Sequence, residues 1–172
     1  GYQTWKGSEL FSYDGTNAPT MVADIYNSGQ SGSSPSNFKV YNNKLYFSAR
    51  TATGVELWVY DEVHAPRLVQ AGSGITSPEQ LTVYKNKLYF TVFDNSTGGI
   101  HLWRTDGTVA GTEAAYVGFS FPKSMVVMND TMFLAASNNA EGQEMWKYDG
   151  ADAEIFKSFS AGSGGGYFPF ST

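Results

Sequence analysis

Apolar residues in this chain come in short bursts cut by turn residues, and none keeps a helical period over any length. Phe38-Lys-Val40 leads through Asn42-Asn43 to Leu45-Tyr-Phe47. Leu81-Thr-Val83, Lys85-Asn86 and Leu88-Tyr-Phe90 repeat that order, as do Met125-Val-Val127, Asn129-Asp130 and Met132-Phe-Leu134. Bursts bounded by Asn, Asp, Gly and Pro read as strands, and Asn/Asp pairs tolerate the positive φ that tight hairpins require. A third strand carries Glu56-Leu-Trp58 and its counterparts. A turn such as Asp14-Gly15-Thr16 or Asp106-Gly107-Thr108 then leads to a fourth, such as Met21–Ile25 or Arg67–Val69. The one hint of helix is Ser77-Pro-Glu-Gln80, enough for a single turn. The pattern predicts an all-β chain.

The strands recur as a set. Gly7-Ser-Glu-Leu-Phe11, Gly54-Val-Glu-Leu-Trp58, Gly99-Ile-His-Leu-Trp103 and Gly142-Gln-Glu-Met-Trp146 align, each followed three residues later by Asp14, Asp61, Asp106 or Asp149. A proline opens each unit at Pro35, Pro78, Pro122 and Pro169. Four antiparallel strands at a period of roughly 45 residues predict blades of a β-propeller rather than a sandwich, which has no reason to repeat one motif.

The string Gly-x-Glu-Leu-Trp-x-x-Asp-Gly-Thr, closest at Glu9–Thr16 and His101–Thr108, resembles the ELWxxDGT repeat of secreted and cell-surface bacterial proteins. The resemblance covers nearly the whole chain and implies a propeller and an extracellular setting, with little about chemistry. Departures fall at Glu62-Val63, His101 and Ala151, and touch the turn geometry rather than the fold.

Taking each proline as a boundary divides the chain into a partial blade at 1–34 (strands three and four), blades at 35–77, 78–121 and 122–168, and the start of another at 169–172. Blades bury their faces only against neighbours, and a ring needs at least about four. The expectation is that this piece does not close by itself: it is part of a longer chain or pairs with another copy. A first residue of Gly rather than Met agrees with a processed or partial chain.

Composition removes several function classes. Aromatics reach 16% and charged residues only 16%, which suits a packed β core and excludes a solvated disordered chain. A net charge of −5, with 11 thinly spread Lys and Arg, argues against a nucleic-acid partner. No cysteine is present, so neither a disulfide framework nor a thiolate metal site is available. No apolar run is long enough to span a bilayer, so no membrane insertion is expected.

Each chemistry-bearing pattern has a structural competitor. The repeated carboxylates Glu9, Glu56 and Glu144 invite an acid–base reading, but a residue fixed in every unit serves the unit. A partly buried carboxylate needs donors, with a neighbouring unit's backbone as the expected source. Phe11, Trp58, Trp103 and Trp146 read as filling between units rather than as sugar-stacking platforms. Asp14, Asp106 and Asp149, and the string Asp149–Glu154, suggest calcium, yet Asp-Gly is an ordinary turn pair and the EF-hand spacing is missing. No other cofactor is expected. His64 and His101 are the only histidines and have no zinc-type spacing, and Gly162–Gly166 lacks the residues of a phosphate loop. Asn95-Ser-Thr97 and Asn129-Asp-Thr131 match the short glycosylation pattern.

Residues that break the repeat are the better site candidates: Trp5, His64, Arg67, Arg104, Tyr116, Tyr167 and Phe168. Polar-tipped aromatics and Arg commonly anchor interfaces. The sequence therefore predicts a non-enzymatic, secreted or cell-surface propeller for adhesion, assembly or protein interaction, whose partner is a protein or further copies of itself. A lectin-like propeller binding glycans is the alternative.

Overall fold

The computed structural model describes residues 7–27, 31–69, 74–138 and 142–158. Among these residues the chain is all β, in four antiparallel sheets with no helix. Sheet I holds β1 (Leu10–Ser12) and β2 (Thr20–Ala23). Sheet II holds β3 (Ser36–Tyr41), β4 (Lys44–Arg50), β5 (Val55–Tyr60) and β6 (Arg67–Leu68) in that order. Sheet III holds β7 (Ile75–Tyr84), β8 (Lys87–Asp94), β9 (Gly99–Thr105) and β10 (Glu113–Tyr116). Sheet IV holds β11 (Ser120–Met128), β12 (Thr131–Asn138), β13 (Gly142–Tyr148) and β14 (Ala153–Lys157). Each four-stranded sheet is a meander of sequential neighbours, the pairing that short turns allow.

The turns explain the registers. Asn42 and Asn43, Lys85 and Asn86, and Asn129 and Asp130 all have φ between 42° and 57°. Two consecutive left-handed residues make the turn whose twist matches a hairpin, so Tyr41 pairs with Lys44, Tyr84 with Lys87 and Met128 with Thr131. The one-turn helix expected at Ser77–Gln80 does not form. Those residues lie inside β7, where Ser77 (φ 56°) and Gln80 (φ 54°) sit beside breaks in the register. Bulges there accommodate Pro78, which has no N–H to give a ladder. The first strands of sheets III and IV thus begin before their prolines, and only β3 begins after its own.

The core lies between sheets. Tyr41, Tyr46, Leu57 and Val59 of sheet II pack on Leu81, Leu88, Phe90 and Val92 of sheet III. Tyr84, Tyr89 and Leu102 of sheet III pack on Met132, Leu134, Trp146 and Tyr148 of sheet IV. Leu10, Val22 and Ile25 meet Phe47, Ala49 and Trp58 across the sheet I–II junction. The inner strands β4 and β8 therefore bury residues on both faces, as the unbroken buried rows from Tyr46 to Ala49 and from Leu88 to Val92 reflect. No helix among the described residues is long and apolar enough to cross a membrane.

Candidate functional site

The repeated polar residues are occupied by the fold. The carboxylate of Glu9, 7% exposed, accepts hydrogen bonds from the N–H of Ile25 (3.0 Å) and from the N–H and Oγ of Ser33 (2.8 and 2.5 Å). Its donors come from the chain leaving sheet I for sheet II, rather than from the strands of a neighbouring unit. Glu144 is fully buried. Glu56 is less deeply placed; burial raises its carboxyl pKa, and the Thr53 hydroxyl at 3.3 Å partly offsets this. His101, in the same position of sheet III, meets the Thr97 hydroxyl at 2.9 Å.

The turn aspartates hold their own loops. Asp14 accepts from the N–H groups of Thr16 and Asn17, both at 2.8 Å, and from the Asn17 side chain at 2.7 Å. Asp61 does the same for Val63 and His64, Asp106 for Thr108, and Asp149 for Ala151 and Asp152. Hydrogen bonds to the charged form lower a carboxyl pKa. The Asn17 side chain and backbone hold Asp14 at about 2, and the His64 backbone and ring hold Asp61 at about 2. These are turn roles; no group of three or more His, Asp or Glu that could hold a metal occurs among the described residues.

The aromatic series divides. Trp146 is 6% exposed and its Nε1–H donates to the Ala136 carbonyl at 3.1 Å, and Trp58 and Trp103 pack into the inter-sheet clusters. Phe11 is 52% exposed.

The candidate residues also divide. Trp5, Tyr167 and Phe168 lie outside the described residues. His64 is exposed and its Nδ1 faces Asp61 Oδ2 at 3.1 Å, in the turn that precedes exposed Arg67 on β6. Arg104 and Tyr116 come together against Tyr148 at the sheet III–IV junction. Tyr116 packs on Phe119 (4.8 Å between centroids) and Tyr148 (5.9 Å). Arg104 donates to Glu113 Oε1 and the Gly150 carbonyl, at 3.0 and 3.1 Å. The Tyr89 hydroxyl, and then Glu113, hold its guanidinium charged. Both residues hold sheets together.

Two surfaces that these candidates missed stand out. The first is the outer face of sheet IV. On the corresponding face of sheets II and III, register places Lys39 and Thr82, Tyr41 and Tyr84, Tyr46 and Tyr89, and Ser48 and Thr91. Sheet IV puts Val126, Met128, Phe133 and Ala135 there. The tyrosines of the inner sheets are 1–5% exposed, whereas Val126 and Met128 are each 57% exposed. Phe156, 55% exposed, sets its ring edge-on to Phe133 at 5.1 Å. Sheet IV thus has hydrocarbon or thioether where sheets II and III have tyrosine and Ser/Thr hydroxyls, beside Lys123 and an ion pair of Lys147 with Glu154 (2.6 Å) that register puts on the same face.

The second is a groove of about 380 Å³ between sheets I and II, lined by Leu10, Ser12 and Val22 on one side and Val40, Asn43 and Glu62 on the other, among others. Its walls are mainly apolar, and Val40 at its rim is 65% exposed. Comparison of the chain with family models, with curated proteins and with solved structures finds no match.

Proposed function

We propose that the four sheets are consecutive blades of a β-propeller array, and that the protein is a non-enzymatic assembly module which associates with copies of itself through the outer face of sheet IV. The radial reading is supported by contacts of the first strand β7 with the first strands β3 and β11 on either side. It is also supported by a groove of about 430 Å³ that the three share, with Asn37, Gln80 and Ser124 along it. The cell-surface setting follows the ELWxxDGT resemblance of the sequence.

The observation that carries assembly is the open apolar face of Val126, Met128, Phe133 and Phe156. Contiguous exposed apolar surface on a soluble chain marks an interaction site, because its burial against a like surface is favourable at roughly 25 cal/mol per Å². The apolar patch itself needs no matching acceptors, and Lys147 and Glu154 beside it already pair with each other, so it suits a second copy of itself. Mass by light scattering at rising concentration tests this. The native chain is expected to exceed monomer mass, and Val126→Lys with Met128→Lys, both on exposed positions, to restore the monomer. A native chain that stays monomeric throughout, or a double variant that associates as before, overturns the reading.

A further inference from the structure

We propose that the groove shared by the first strands β3, β7 and β11 binds a hexuronic acid sugar, with Lys39 taking its carboxylate. A backbone feature repeated in sheets II, III and IV singles this groove out. Each first strand carries one extra residue against its partner at the same place. Ser36 to Lys39 faces Ser48 to Tyr46, Glu79 to Thr82 faces Thr91 to Tyr89, and Lys123 to Val126 faces Ala135 to Phe133. Inside these bulges Asn37 (φ 54°), Gln80 (φ 54°) and Ser124 (φ 55°) are left-handed, and all three line the groove. A bulge residue in that conformation is where glycine fits without strain. The chain keeps a hydrogen-bonding side chain at each of these places instead. Non-glycine residues held in such backbone gather where ligands are clamped.

The fold uses only one of the three side chains. The Asn37 amide nitrogen donates to Ser48 Oγ and to the Pro78 carbonyl, both at 3.3 Å, and so ties sheet II to sheet III. Gln80 and Ser124 make no side-chain hydrogen bond among the described residues. The charge in the wall selects the class of ligand. Of the charged residues on the three strands, Lys39, Glu79 and Lys123, only Lys39 lines the groove. It is half-buried and has no ion pair among the described residues. An ammonium so placed is best matched by a carboxylate that the ligand brings. The Gln80 amide and the hydroxyls of Ser124 and Thr82 each donate and accept, as the hydroxyls of a sugar do. Phe38, 53% exposed and propped by Phe47 with ring centroids 5.9 Å apart, gives the wall an apolar surface for the C–H face of a ring. The volume of about 430 Å³ is that of a small-ligand site. Carboxylate, neighbouring hydroxyls and an apolar ring face occur together in a hexuronate.

The test is calorimetric titration of the 172-residue chain with a galacturonate trisaccharide. The controls are the neutral galactose trisaccharide and tricarballylate, which carries the same charge without a sugar ring. The uronate is expected to bind saturably and at least about tenfold more tightly than either control. Lys39→Gln is expected to erase the preference over the neutral sugar, because the charge-assisted contact is lost. Gln80→Gly with Ser124→Gly is expected to weaken the uronate by about tenfold. The urea midpoint of that double variant is expected to hold or rise, because glycine accepts the left-handed backbone. Absence of saturable uronate binding overturns the proposal, as does equal binding of tricarballylate. A glycine variant that binds like the native chain overturns it too. A fall in that variant's midpoint would give the two side chains a structural task and has the same consequence. The inference does not rest on assembly through sheet IV. The groove variants are expected to keep the native dependence of mass on concentration, so each reading fails on its own measurement.

Discussion

At the level of single residues, tyrosine is the part that joins one sheet to the next. Tyr84 is 2% exposed and donates its hydroxyl to two carbonyls in sheet IV, Asp130 at 3.0 Å and Tyr148 at 3.2 Å. Its ring also lies within 6.4 Å of Tyr148. Tyr84→Phe keeps the packing and strands those acceptors, so it is expected to cost about 1–2 kcal/mol of unfolding free energy, measured by urea denaturation. A neutral result would show that water reaches the junction. The same logic gives Arg104 and Tyr116 a structural reason to break the repeat: both make contacts across the sheet III–IV junction, and nothing local in the sequence tells such an arginine from a ligand-binding one. Arg104 stands where sheet II has Val59 and sheet IV has Lys147.

The strand–turn–strand element was legible because its signal is chemical and local. Asn-Asn, Lys-Asn and Asn-Asp pairs between apolar bursts named the turns, and the structure gives both residues of each pair a positive φ. Asn86→Val tests that coupling. A β-branched residue is poorly tolerated in the left-handed region, at a cost of about 1–2 kcal/mol, whereas Asn86→Gly is expected to be near neutral. Since the Asn86 carbonyl also receives Tyr41, the valine variant is expected to loosen the sheet II–III junction, seen as faster amide exchange across β7 and β8. The bulges of the first strands were not legible. Ser34 and Asn37, Ser77 and Gln80, and Phe121 and Ser124 all carry positive φ around the prolines. Phe, Ser and Gln do not advertise that conformation, so contacts among neighbouring first strands, rather than propensity, hold it in place. The open face of sheet IV did leave a trace in the sequence. Met132-Phe-Leu134 aligns with two Leu-Tyr-Phe strings, and its missing phenol falls on the face that, among the described residues, packs against no further sheet.

Across the whole molecule, one electrostatic feature recurs in every sheet: a turn aspartate whose backbone hydrogen bonds favour its ionised form. Asp14, Asp61, Asp106 and Asp149 belong to sheets I to IV in turn, and all four are shifted down, the first two from 3.8 to about 2. A carboxyl with a folded pKa below its unfolded one stabilises the fold above the unfolded value. That contribution fades as pH drops towards the folded value. For Asp14 and Asp61 the window is 3.8 down to about 2, and Asp106 and Asp149 act in the same direction. Glu56 works the other way, since burial raises its pKa and its protonation relieves the fold in acid. The four turn aspartates, joined by Asp94, which the Ser96 hydroxyl shifts down in the same way, outnumber it and decide the sign. The urea midpoint is expected to hold from pH 7 to 4 and to fall between pH 4 and 2. Asp14→Asn with Asp61→Asn is expected to flatten part of that fall, because asparagine keeps an acceptor for the turn N–H groups without a charge to lose. A midpoint that does not move between pH 4 and 2, or a double variant as acid-sensitive as the native chain, would place acid sensitivity elsewhere than in the turns.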